Sequence, residues 1–157
     1  PIKVDLIISN NINAHGLKYA KKYNIPFKFY SSDNKNKFER NCLIELKRRK
    51  IKFLCLAGFM KVLSKSFIEN FGYQIVNIHP SLLPKFKGLN VHKRVLKNKE
   101  KYTGCTVHYV TPKLDSGSII LQKKILVRKN ETESSLSQRV LKHEHKLYPE
   151  AIRLVFK

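Results

Sequence analysis

The segment Val76–Pro84 reads VNIHPSLLP, and it brings two polar side chains to the end of an apolar run. Asn77 and His79 stand two residues apart. In a strand, side chains alternate, so both would project from one face. In open α/β sheets, ligands and reacting groups gather beyond the carboxyl ends of the strands. An asparagine amide donates hydrogen bonds, and a histidine ring gains or loses a proton near neutral pH. Together they could stabilise an oxyanion and move a proton. Pro80 and Pro84 stiffen the loop that follows. A capped strand end with a satisfied histidine fits the same spacing, and spacing alone favours that reading.

A second segment runs from His108 to Gly117 (HYVTPKLDSG). Asp115, Ser116 and Gly117 suit a turn, which is an ordinary role for aspartate. A carboxylate beside an imidazole would favour the imidazolium, making His79 a competent acid if the two met. His143, Glu144 and His145 form HEH. On a helix, positions i and i+2 do not share a face, so no shared metal site is expected, although Glu144 alone could point into a cleft. His15 reads as a surface helix residue, and His92, near a helix start, as solvent-exposed.

These groups need elements to position them. Strands are expected at Val4–Ser9, Pro26–Tyr30, Phe53–Ala57, Gln74–His79, Thr103–Val110 and Ser118–Val127. Phe53–Ala57, continuously apolar, suits a central parallel strand. Helices are expected at Ala14–Tyr23, Lys35–Arg49, Ser64–Phe71, Val91–Lys99 and Thr132–His145. Ser64 is the N-cap of its helix and Gly72 the stop. Pro149 should kink or restart the last helix before Ala151–Phe156. Alternating strands and helices argue a parallel α/β sheet, extended at one side by the later strand pair. The six glycines form neither GxGxxG nor GxxxxGK, so neither phosphate-binding glycine loop is recognisable.

The chain of 157 residues suits one domain, 1–157, with a substantial core. An apolar share of 42% excludes a disordered basic tail, and no apolar run reaches the ~18–20 residues of a spanning helix. No secretory signal is recognised, so a cytoplasmic location is expected. Lys+Arg 32 against Asp+Glu 11 gives a net charge of +21, which raises nucleic acid as a partner. The lysines are dispersed, however, and accompany abundant Asn, Ile, Phe and Tyr, so Lys-rich surface drift ranks above a nucleic-acid surface. The densest cluster, Lys47–Lys50, falls at a helix end where cations favour the dipole. Cys42, Cys55 and Cys105 show no CxxC spacing, and Cys55 and Cys105 lie in apolar runs. Buried thiols are expected, with neither disulfides nor zinc.

Taken in order, Leu56–Leu63 (LAGFMKVL), Val76–Pro84, Lys85–His92 (KFKGLNVH), Gly104–Ile120 (GCTVHYVTPKLDSGSII) and Glu144–Pro149 (EHKLYP) resemble the phosphoribosylglycinamide formyltransferases. These are the folate-dependent glycinamide ribonucleotide transformylases of purine synthesis. The similarity runs over essentially the whole chain from Val4. SLLP alone is shared across formyltransferases; the five segments together are specific.

The resemblance implies a Rossmann-like formyltransferase fold, with a mostly parallel open twisted sheet, helices on both faces and an antiparallel extension. It implies Asn77, His79 and Asp115 as the catalytic trio and His108 as a second active-site histidine. The co-substrate would be 10-formyltetrahydrofolate, with no metal. Met60, Lys61, Val62 and Leu63 match a folate-binding segment that acts largely through backbone groups; Asn77, His108 and Asp115 also contact the folate. Lys35 stands where the family usually has arginine, which keeps charge and loses the bidentate fork. Pro80 and Glu144 match contacts to glycinamide ribonucleotide, and Leu83–Pro84 matches a cis peptide bond. A homodimer is compatible with the pattern.

Relatives of this kind begin with a further strand, inside the sheet, and a glycine-rich phosphate loop. The chain is therefore expected to be an N-terminally truncated fragment of a normal enzyme, with apolar surface exposed where that strand would lie. The nearest rival is a methionyl-tRNA formyltransferase-like enzyme, which shares SLLP and the trio. Against it stand KFKGLNVH and the lack of sequence for a second domain. Formyltetrahydrofolate deformylase fits less well, and a non-catalytic basic nucleic-acid-binding domain rests on charge alone. A structural remnant is the last alternative.

Overall fold

The computed structural model describes residues 2–157, which divide into two compact units. The first unit runs up to Lys52 and adds Leu63–Tyr73; the second comprises Phe53–Val62 and Gln74–Lys157.

In the first unit, β1 (Ile7–Ser9) pairs in parallel with β2 (Phe27–Phe29), and α1 (His15–Lys22) connects them. Both strands are shorter than the sequence suggests. Leu17 and Ala20 are the buried residues of α1, one helical turn apart, and His15 is exposed as expected. α2 (Lys35–Arg48) begins at Asn34, whose side chain accepts from the Lys37 N–H, and buries Phe38, Cys42 and Leu46. At its end Arg48 and Arg49 both pair with Glu45 at 2.6 Å. Part of the densest basic cluster thus serves the helix itself. These two guanidiniums hydrogen-bond the Glu45 carboxyl and lower its pKa to about 2.

α3 (Lys65–Phe71) has the boundaries its capping residues dictate. Ser64 Oγ accepts from the Phe67 N–H at 3.0 Å, a cap worth ~1 kcal/mol. The Ser64 hydroxyl and amide in turn donate to the buried Glu39 carboxylate at 2.5 and 2.8 Å. Gly72 closes the helix at φ 71°, a left-handed conformation suited to glycine. Val4, Phe27 and Phe29 are exposed, so apolar surface is present in this unit.

The second unit is built on a four-stranded sheet in the order β3 (Phe53–Leu56), β4 (Gln74–His79), β5 (Tyr102–Tyr109), β6 (Ile119–Leu126). β3 and β4 are parallel; β5 and β6 form the antiparallel extension. Among the described residues β3 pairs with β4 alone, so it is an edge strand of its sheet rather than a central one. This corrects the expectation for Cys55, which is exposed; a peripheral strand leaves one side uncovered. Cys42 and Cys105 are buried, and burial pushes both thiols up to about 12.

α4 (Val91–Lys97) and α5 (Glu133–Val155) pack with one face of β5 and β6. Val91, Val95, Cys105, Val107, Ile125, Leu136, Val140, Leu147 and Ala151 form this core. Each fully buried aliphatic side chain of this size contributes roughly 1.5–3 kcal/mol. α5 starts at a capping box, with Thr132 and Ser135 exchanging side-chain to backbone bonds. It then runs as one helix through Pro149, so the proline does not restart it. Proline removes one backbone donor, while Leu147 and Ala151 on either side remain buried in the core and hold the helix in register.

β5 is buried on both faces. On the side away from the helices, Thr106 Oγ1 donates to Ser81 O (2.7 Å) and accepts from Leu83 N (3.2 Å) and Gln122 Nε2 (2.8 Å). That uses the full capacity of a hydroxyl and ties the loop after β4 to the sheet. The Leu83–Pro84 bond in this loop is cis, as the resemblance implies. Gly104 has no room for a side chain: a Cβ would stand 2.0 Å from Lys123 O and 2.6 Å from Leu82 Cδ2.

Candidate active site

β4 ends in Asn77 and His79, and the antiparallel register sets Asn77 opposite His108 and His79 opposite Thr106. Residues directly opposite one another share a sheet face, so three polar side chains converge from two strands. Asp115 joins them from the connection between β5 and β6. Its Oδ2 lies 3.5 Å from His79 Nδ1 and its Oδ1 3.7 Å from His108 Nε2. The carboxylate is only 7% exposed, and the two imidazoles 8% and 3%. The meeting of His79 and Asp115, which spacing left open, is therefore a product of the fold.

Asp115 is delivered by a tight turn and sits at φ 44°. Two residues on, Gly117 passes so close to β5 that a Cβ would stand 1.7 Å from Tyr109 O. Only glycine permits this approach. Asp115 thus keeps the turn role its sequence suggests and adds a second role facing the histidines.

The hydrogen bonds define the ring states. His108 Nδ1 lies 2.9 Å from Tyr109 O, and a carbonyl can only accept, so Nδ1 carries the proton. Nε2 is left as an acceptor, with Asn77 Nδ2 at 3.3 Å. Burial holds the His108 pKa below the usual histidine range; the Tyr109 carbonyl and Asp115 oppose that shift, and His79 adds to it. His79 differs. Its Nε2 donates to Phe86 O at 2.8 Å while Nδ1 faces the Asp115 carboxylate. Oxygen acceptors therefore face both nitrogens of this ring.

The remaining sequence candidates are more dispersed. Pro80 is half-buried directly after His79, and Glu144 is half-buried on α5. Burial raises the Glu144 pKa. Met60, Lys61 and Val62 form an exposed segment after β3, while Leu63 is buried in the first unit. Lys35 opens α2 in the first unit and is exposed.

His92 is not the exposed residue its position suggests. It is half-buried, its Nδ1 is buried without a hydrogen-bond partner, and burial lowers its pKa. Sequence reading also missed the main-chain groups of Phe86 and Gly88. Their contacts leave no trace in residue type, apart from the single glycine.

The end of β4 thus carries Asn77 and His79, with Asp115 facing His79 from the β5–β6 connection. The family model described as "Formyl transferase" matches residues 2–152, and the chain belongs to that family. Among its relatives, phosphoribosylglycinamide formyltransferase of Escherichia coli (strain K12) is 36% identical over 149 residues, covering 93% of this chain and 70% of the relative. The human trifunctional purine biosynthetic protein adenosine-3 is 41% identical over 156 residues, or 98% of this chain. The chain spans only 15% of that much longer protein. The crystal structure of phosphoribosylglycinamide formyltransferase from Anaplasma phagocytophilum superposes with a TM-score of 0.91 at 39% identity, covering 98% of this chain and 74% of its own.

Proposed function

We propose that this chain is a phosphoribosylglycinamide formyltransferase domain. It would transfer the formyl group of 10-formyltetrahydrofolate to the amine of glycinamide ribonucleotide in purine synthesis. The observation that carries the reading is the buried Asp115 carboxylate between His79 and His108, beside Asn77. The family match over residues 2–152 supports treating the chain as one formyltransferase domain. A cytoplasmic location belongs to the same reading.

In this reaction a C–N bond forms to the incoming amine, the bond from the formyl carbon to the folate nitrogen breaks, and one proton passes from the first nitrogen to the second. The intermediate is tetrahedral, with charge on the former formyl oxygen. Asn77 has two amide protons; one is directed at His108, leaving the other for that oxygen. His79, in its protonated form, would supply positive charge at the same point. Asp115 sustains that charge and can relay the proton. His108, neutral with a proton fixed on Nδ1, holds the Asn77 amide in orientation through Nε2. Glu144, a half-buried carboxylate, would accept a hydrogen bond from the substrate amine. Met60–Leu63 and Lys35 would bind the folate, and Pro80 the ribonucleotide.

The test is formyl transfer from 10-formyltetrahydrofolate by the full-length protein, with glycinamide ribonucleotide and initiator tRNA compared as acceptors. Turnover with the ribonucleotide alone is expected. Turnover with tRNA alone would overturn the assignment.

A further inference from the structure

His79 and Asp115 are each aimed by the main chain of one short strap, Phe86–Asn90, which enters α4. The Phe86 carbonyl accepts from His79 Nε2 at 2.8 Å. Two residues later the Gly88 amide donates to Asp115 Oδ2 at 2.9 Å. A shift of this strap would therefore turn the imidazole and the carboxylate together.

The strap is not a self-supporting element. Phe86, Gly88 and Asn90 have φ of 54°, 80° and 55°. Glycine adopts this conformation without penalty, but a left-handed residue with a Cβ costs roughly 1–2 kcal/mol. Packing holds it at one end, where the half-buried Phe86 lies against the core of the second unit, while Lys87 and Gly88 are only half-buried and Leu89 is 58% exposed.

One side chain grips it from α4. Arg94 Nη1 donates to Lys87 O at 2.7 Å and to Leu89 O at 2.9 Å, the two carbonyls that flank Gly88. The guanidinium carbon also lies 5.4 Å from the centre of the Phe86 ring, within cation–π range. Arg94 thereby touches the strap at three of its five residues. The far side of the strap has a second tie, Lys87 Nζ to Ser116 Oγ at 2.7 Å, adjacent to Asp115.

We infer that Arg94 is a positioning residue for formyl transfer, fixing the strap whose Phe86 carbonyl and Gly88 amide set the geometry of His79 and Asp115. Its kinetic consequence rests on the proposed function; its structural consequence does not. A surface arginine that only stabilises the fold would leave the His79 ring undisturbed once the protein had folded.

The experiment compares Arg94→Leu and Arg94→Lys in the full-length protein, by steady-state kinetics and by ¹⁵N resonances of the histidine rings. Arg94→Leu is expected to lower kcat by about 10²-fold, the effect of a misplacement near 1 Å, while KM changes little. The His79 nitrogen signals should move as the Phe86 hydrogen bond is lost. Arg94→Lys, whose ammonium can reach the same two carbonyls, should restore most of kcat and the His79 signals. An unchanged kcat would overturn the inference, as would a lysine variant as poor as the leucine variant. A folded leucine variant with unaltered His79 signals would overturn it as well. If the unsubstituted protein shows no formyl transfer, the proposed function fails, and the His79 signals alone decide the role of Arg94. Should Arg94→Leu not fold, Arg94→Gln, which keeps an amide donor, carries the same comparison.

Discussion

In the proposed reaction Asn77 contributes an amide proton that neither His108 Nε2, an acceptor, nor the Asp115 carboxylate can replace. Removing one oxyanion donor typically costs ~10²–10³ in rate. Asn77→Ala should lose at least that much in kcat with little change in thermal stability, as measured by steady-state kinetics and a melting curve. His108 makes a different prediction. Burial lowers its pKa in the folded protein, so the unfolded chain takes up the proton first as pH falls through about 6.5. Stability from this group is complete above that value and lost below it. His92 acts in the same direction. Tm should therefore fall as pH drops below about 6.5, and fall less steeply in a His108→Gln variant. Glu144 has the opposite character: burial raises its pKa, so its charge at neutral pH opposes folding. Glu144→Gln should raise Tm. It should also raise KM for the ribonucleotide about tenfold, since a hydrogen bond to a charged group contributes ~1.5–3 kcal/mol.

At the scale of elements, the site depends on how closely the β5–β6 connection can approach its own strand. A methyl group at Gly117 would overlap Tyr109 O, and the turn would have to move. Gly117→Ala is expected to cost about 1–3 kcal/mol, the usual range for overpacking. It should also lower kcat, because Asp115 moves with the turn; chemical denaturation and kinetics measure the two effects. The other end of the sheet is tied to α5 by Tyr148. Its hydroxyl donates to Leu56 O at 2.7 Å and lies 3.1 Å from Val76 O, at the end of β3 and in the middle of β4. Tyr148→Phe should destabilise the fold by ~1 kcal/mol and leave the His79–Asp115 geometry in place.

Across the whole molecule the dominant quantity is the net charge of +21. A charge of this size repels itself in the compact state and attracts anions in solution. Both proposed substrates are anionic, one through a phosphate and the other through its carboxylates. Raising ionic strength from about 0.1 M to about 1 M shortens the screening length from ~10 Å to ~3 Å. Tm should then rise while kcat/KM falls, by roughly tenfold if steering operates. A constant kcat/KM over that range would leave the charge without a part in substrate capture.

Asn77 and His79 were legible in the sequence because a strand fixes the direction of alternate side chains locally. The Ser64 cap and the Gly72 stop were legible for the same reason: each is a contact between near neighbours in the chain. That His108 and Asp115 meet Asn77 and His79 was legible only through resemblance, since nothing in HYVTPKLDSG says which strand lies opposite. The antiparallel register of β4 and β5 decided that, together with the close pass at Gly117. The restart at Pro149 and the burial of Cys55 were misjudged because local rules ignore packing: a buried helix face carried the helix past the proline, and a peripheral strand exposed the thiol. Sequence alone determined the candidate polar groups at the end of β4, the caps and most of the elements, which depend on residue type and short-range geometry. Tertiary structure decided the proton on His108, the two acceptors around His79 and the strap gripped by Arg94. Those depend on main-chain atoms brought together from distant parts of the chain, and a backbone carbonyl or amide has no identity in a sequence.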